Sequence, residues 1–190
     1  FSKVLNQTFI LLLSMAQNGY DTIKQGNLDK LHNLISLEEA NNRFTTFCRR
    51  YLNKKGYGYF DKLGPMYYIV EMLEKIADQY KYFYRYLLDF GKDKIVVNKE
   101  LLSSFHEINI MLRKFYNVFN RFNPKIISEI KEDRDAIIKN LIDISSKIDK
   151  KQDIVMYHHM MTLTTDIFSL LGPYLILAIK GHNSIESGAQ

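Results

Sequence analysis

Glu71, Glu74 and Asp78 stand three and then four residues apart in the stretch Tyr68-Ile69-Val70-Glu71-Met72-Leu73-Glu74-Lys75-Ile76-Ala77-Asp78. On a helix, at roughly 100° per residue, the three carboxylates fall within about 60° of one another. Glu74 and Asp78, four apart, bring their side chains together. Unpaired, they repel. A hard or borderline metal ion would relieve that repulsion and take the oxygen ligands. The same pattern also fits a solvated face, because Ile69, Met72, Leu73, Ile76, Tyr80, Phe83 and Leu87 form an apolar stripe nearly opposite. Lys75 and Lys81 are near enough to neutralise part of the ridge.

A second stretch offers a weaker version of the same chemistry. An offset of 88 residues lays Met156 to Asp166 over Tyr68 to Asp78, with agreement at the apolar positions and the final Asp. The matching ridge positions become His159, Thr162 and Asp166. His159 and Asp166 are ligand types and Thr162 is a poor one. Elsewhere, Arg49, Arg50, Lys54 and Lys55 form a basic cluster. It could meet nucleic acid or anionic lipid, and equally it suits the carbonyl end of a helix. Tyr82 and Tyr86 fall off the apolar stripe and suggest a protein interface, with self-association as the favoured form.

Enzyme signatures are missing. No glycine-rich phosphate loop and no Glu-x-x-His pair occurs. The single cysteine, Cys48, lies inside an apolar stripe, which argues against a nucleophile. It also excludes an internal disulfide framework and fits a reducing compartment.

The elements that must carry these residues read as helices. Three prolines and nine glycines in 190 residues are too few for the turns of an all-β protein, and 13% aromatic residues argue against disorder. Six amphipathic segments are predicted: Ser2–Ile23, Leu28–Asn53, Pro65–Phe90, Lys99–Phe122, Pro124–Ile148 and Gln152–Ile179. Asn27, Asn98 and Asn123 are candidate N-caps, and Gly26, Gly56, Gly91 and Gly181 stop signals. Tyr57–Gly64 is predicted as a loop, with Pro65 in the first helical turn. In the second segment Leu31, Ile35, Phe44, Phe47, Cys48 and Leu52 are the expected core face. The order is three helices (1–91), a break at 92–98, three helices (97–181) and a polar tail (182–190). The predicted fold class is all-α, a tandem pair of antiparallel three-helix bundles.

Charge and hydropathy place the chain further. A net charge of +5 permits contact with nucleic acid or an anionic membrane without demanding it. The longest apolar stretch, Ile167–Ile179, is broken by Gly172-Pro173 and is shorter than the roughly 20 residues a membrane span needs. With no signal-peptide pattern, the expected location is cytoplasmic. The start at Phe1 suggests that an upstream segment has been trimmed.

Leu73-Glu74-Lys75-Ile76-Ala77-Asp78 resembles the helix signature of the PhoU family: a hydrophobic residue, Glu or Asp, three residues, then Asp. Asn42-Arg43-Phe44 and Arg50 to Tyr57 are similar to archaeal PhoU-like proteins, which often carry an N-terminal AbrB-type DNA-binding domain. The resemblance implies a tandem of three-helix bundles over nearly the whole chain. It also implies a cytoplasmic regulator of phosphate uptake, peripheral to the membrane through a transporter. Its partners would be a phosphate ABC-transporter ATPase or another regulator, and it would form a homodimer. DNA contact would come only through the missing N-terminal domain. Glu74 and Asp78, with Glu71 nearby, would hold iron, zinc or manganese. Thr162 in place of the first carboxylate puts a second full cluster in doubt. Glu38 and Glu39 could face the same ridge. Two alternatives stay open: the effector or dimerisation domain of an AbrB-type transcriptional regulator, and a metal-dependent helical-bundle enzyme.

Overall fold

The computed structural model describes residues 1–58, 60–90 and 97–178. The Gly91 and Gly181 stops, most of the 92–98 break and the 182–190 tail lie outside the described residues. The chain forms α1 (Ser2–Gln25), α2 (Leu31–Lys55), α3 (Phe60–Phe90), α4 (Lys99–Asn120), α5 (Pro124–Ser145), α6 (Lys151–Ser169) and a short α7 (Leu171–Ala178), with no strand among the described residues. A single 3₁₀ turn, Leu28–Lys30, precedes α2.

The helix ends follow local chemistry. Gly26 takes the left-handed conformation (φ 71°) that closes α1 without a Cβ penalty. Asn98 and Asn123 accept hydrogen bonds from the first free backbone amides of α4 and α5. Asn27 makes no such side-chain cap; the 3₁₀ turn intervenes before α2 begins. α3 starts earlier than predicted, at Phe60, so Pro65 lies inside it. A proline only five residues into a helix costs one ladder bond, since the first four amides have no intrahelical acceptor anyway. The sixth predicted segment is two helices. Pro173 has no amide to offer the carbonyl of Ser169, and the chain turns at Leu170 before α7 resumes.

α1, α2 and α3 pack antiparallel as one bundle, and α4, α5 and α6 as a second. The halves join where α1 and α3 meet α4, α6 and α7. The core runs through the junction without interruption, including Phe9, Leu12, Tyr80, Phe83, Tyr84, Phe105, Leu112 and Phe115. The stretch Lys151–Ala178 is long and apolar enough by composition to cross a membrane. Met156, Met160, Leu163 and Ile167 nonetheless bury in this bundle core.

The two halves share a burial pattern in their third helices, one residue out of step with the sequence alignment. Ile69, Leu73, Ile76, Tyr80, Phe83, Tyr84 and Leu87 are buried, as are Met156, Met160, Leu163, Ile167, Leu170, Leu171 and Tyr174, each 87 residues later. In that register Met161 and Thr165, not Thr162 and Asp166, occupy the places of Glu74 and Asp78.

Three buried polar side chains fasten α1, α3 and α4 to one another, Tyr84 within the first half and Tyr80 and Asn109 across the junction. The Tyr84 hydroxyl donates to the Met15 carbonyl at 2.6 Å, and the Asn109 amide donates to the Ala16 carbonyl at 2.9 Å. The Tyr80 hydroxyl donates to Asn109 Oδ1 at 2.7 Å. Tyr84 reaches α1 because residue 19 is glycine: a Cβ there would lie 1.9 Å from the Tyr84 oxygen. Gly19→Ala should therefore cost about 2–3 kcal/mol, since neither the ring nor the helix can retreat in a packed core. Urea denaturation checks this, with Ala40→Gly on α2 as a propensity control expected to cost only about 1 kcal/mol.

Candidate functional site

The acidic ridge of α3 does not face open water alone; it lies along α2. The inner face of α2 differs from the expected one. Phe47 is 47% exposed and Phe44 and Ile35 are half-buried, whereas Glu38, Asn41 and Thr45 are buried. Glu38 and Thr45, with Arg49 one turn further on, meet the ridge directly, while the Asn41 amide donates to the Thr8 carbonyl on α1.

Arg49 bridges two of the carboxylates. Its guanidinium donates to Glu71 Oε1 at 2.9 Å and stands 2.8 Å from Glu74 Oε2. Thr45 adds a hydroxyl donor to Glu74 at 2.5 Å. Lys81 bridges the other pair, Asp78 on its own helix and Glu38 on α2, the latter at 2.9 Å. Asn42 also donates to Glu38. Burial lowers the pKa of Arg49 and of Lys81, but their carboxylate partners outweigh it, so both cations are held above their ordinary pKa. Two compact ion clusters result, each a cation between two acids.

Asp166 approaches α3 from the other side. It is buried and pairs with the largely exposed Lys75 at 2.8 Å. His159 lies against the Phe83 ring, with centroids 5.7 Å apart, and near Tyr86. Burial, with His158 adjacent, lowers its pKa to about 4, so it is neutral near pH 7. Tyr86 is half-buried in the α3–α6 seam, where its hydroxyl donates to the Lys151 carbonyl at 3.3 Å. Tyr82 is 48% exposed, with the Lys81 ammonium 4.8 Å from its ring centre. Arg50 is exposed, unlike Arg49. Cys48 is buried and its thiol is pushed up to about 11, which suits packing rather than reaction.

The structure thus joins Glu71 to Glu74 and adds Glu38 to Asp78, but always through a cation. Asp166 and His159 do not complete the ridge. Among the described residues, no group of three His, Cys, Asp or Glu side chains gathers closely enough to hold a metal ion. The described residues do not gather as the expected iron, zinc or manganese cluster would require, and the ridge carboxylates are instead paired with Arg49 and Lys81. Sequence reasoning pointed to Glu38 and Glu39, of which only Glu38 joins the ridge, and missed Thr45 and Arg49 as its partners in α2. The signal was Glu38, Asn41, Thr45 and Arg49 at helical spacing, a polar stripe hidden between more conspicuous phenylalanines.

No protein-family model and no curated protein matches this sequence. Solved structures do. The phosphate transport system regulatory protein PhoU from Streptococcus pneumoniae superposes with a TM-score of 0.72. The match covers 93% of this chain and 92% of that one at 12% identity. The fold is PhoU-like. A PhoU-like protein from Shewanella oneidensis MR-1 matches with a TM-score of 0.59 and 11% identity, over 92% of this chain and 96% of that one. A putative PhoU-like phosphate regulatory protein from the same organism matches at 0.56 and 10%, over 93% and 98%.

Removing Lys81 leaves the buried Glu38 carboxylate without its counter-ion. Lys81→Met should destabilise the protein by about 3 kcal/mol, and Glu38→Gln in the same chain should restore much of that loss. Arg49→Ala should cost only about 1 kcal/mol, because water reaches Glu71 and, in part, Glu74. Thermal denaturation of the single and double variants checks the order. Protein purified without chelator, then reloaded with iron, zinc or manganese, should hold well under one metal per chain by mass spectrometry. Stoichiometric metal that disappears in a Glu74→Gln, Asp78→Asn variant would contradict the cation-filled ridge.

Proposed function

We propose that this chain is a non-enzymatic, PhoU-like regulator of phosphate uptake that acts by binding proteins. The observation that carries the reading is the likeness, over 93% of the chain, to a phosphate transport system regulatory protein. The chemistry of the ridge is consistent with it. Its carboxylates are engaged with cations, which leaves no free acid–base pair for turnover there.

On this reading the partner is the ATPase of a phosphate importer or another regulatory protein, and the protein works in the cytoplasm. Tyr82 and Arg50 are the sequence-nominated contact residues that remain exposed. Arg49 and Tyr86 serve the fold instead, the first within an ion cluster and the second within a helix seam. Metal has no required part.

The test is phosphate accumulation in the source organism with the gene deleted, measured under phosphate limitation and excess. Deletion should change accumulation at one or both levels, and the intact gene should restore it. Unchanged uptake under both conditions would refute the proposal.

A further inference from the structure

The antiparallel order brings the C-terminal end of α2, the α4–α5 turn, α7 and the N-terminal starts of α3 and α5 to one end of the molecule. Two features meet at that end. First, it displays apolar side chains that stand largely exposed among the described residues. Phe60 is 94% exposed, Phe122 55% and Ile176 52%. Between them lies an open cavity of about 800 Å³ walled by Pro65, Tyr68, Ile127, Phe168, Leu175 and Ile176. A second hollow of about 700 Å³ continues from it past Phe60, sharing Gly64, Pro65 and Tyr68.

Second, free cations outnumber free acids at this end. Arg50, Lys54, Lys55, Arg121, Lys125 and Lys131 are all exposed, and none forms an ion pair among the described residues. Of the acids near this end, Glu71, Glu129 and Asp133 are bound to Arg49 or Lys114, while Asp61 and Glu132 are exposed and in no ion pair, two against six free cations. Lys62 donates to the Leu177 carbonyl at 3.3 Å and so ties α7 against the start of α3.

We propose that this end of the bundle docks on an anionic lipid bilayer, with Phe60, Phe122 and Ile176 entering the interface and the surrounding lysines and arginines meeting the headgroups. Apolar tips inside a cationic rim are what such an interface rewards: each buried methylene and each cation near the surface contributes about 1 kcal/mol. Lysines also bury their stems while their ammonium groups stay with the headgroups. A nucleic-acid duplex would use the cations but leave the aliphatic and aromatic tips exposed to water. A single partner helix follows one line, whereas these tips and cations come from α2, α3, the α4–α5 turn, α5 and α7. An extended surface can meet side chains from all of these elements at once. This inference does not depend on the proposed role in phosphate uptake.

The test is co-sedimentation of the full chain with vesicles of phosphatidylglycerol and phosphatidylcholine, beside vesicles of phosphatidylcholine alone. The protein should pellet with the anionic vesicles, far less with the neutral ones, and less again at high salt. Lys54→Gln with Lys55→Gln should weaken binding on the order of tenfold, from the loss of two surface cations. Phe60→Ser should weaken it by a similar factor. Both change exposed residues, and circular dichroism confirms that they stay folded. Lys24→Gln, at the opposite end, should bind as the parent does. Failure of the parent to pellet with anionic vesicles would overturn the proposal. So would binding unchanged by either end-face variant, or binding to a DNA duplex with none to vesicles.

Discussion

Tyr80, Tyr84 and Asn109 sit where water cannot reach, so each polar atom must find a partner inside the protein. That requirement ties α3 to α1 within the first half and α4 to both of them across the junction. Tyr84 and Asn109 take the carbonyls of Met15 and Ala16 on α1, and Tyr80 closes the set by donating to Asn109. A hydrocarbon core alone would let the two three-helix units pack in several registers. Directional hydrogen bonds of this kind select one, because the alternatives strand a buried donor or acceptor. Gly19 is part of the same constraint. Glycine inside a helix ordinarily costs stability, and here it makes room for the tyrosine that holds α3 to α1.

The ion clusters between α2 and α3 follow from the same logic with charge in place of dipoles. Glu38 is almost wholly buried, and a carboxylate there persists only with Lys81 and Asn42 beside it. The ridge that looks like a ligand set on α3 alone becomes a closed electrostatic unit once α2 is in place. The likeness to PhoU structures extends to architecture, while the local chemistry of this ridge is that of fixed cations.

Much of the fold was legible in the sequence because its signals are local. Asparagine caps at 98 and 123, the glycine stop at 26 and the 3.6-residue apolar stripes each act within a turn or two. The misreadings involve partners far along the chain. Phe44 and Phe47 outweighed Glu38 and Thr45 on hydrophobicity, yet the polar pair faces inward because α3 supplies Lys81, and Glu74 accepts from Thr45. The alignment of the two third helices followed a shared Asp, whereas burial places the repeat one residue away. The ridge carboxylates themselves were found; Arg49, which decides what they do, was assigned to a surface cluster. Helix spacing locates charged residues well, but what neutralises them is a tertiary fact.

The up-and-down order of the helices has a consequence for the field around the molecule. α1, α3 and α5 run one way and α2, α4 and α6 the other, so their backbone macrodipoles largely cancel. What remains is set by side chains, and exposed cations without an ion partner stand at both ends among the described residues, Lys54, Lys55, Arg121 and Lys125 at one and Lys24, Lys30, Lys99 and Lys150 at the other. The protein therefore carries a field written in a few solvent-facing residues near its two ends. Its orientation toward a charged target can be tuned, or reversed, by surface substitutions that leave every core contact in place.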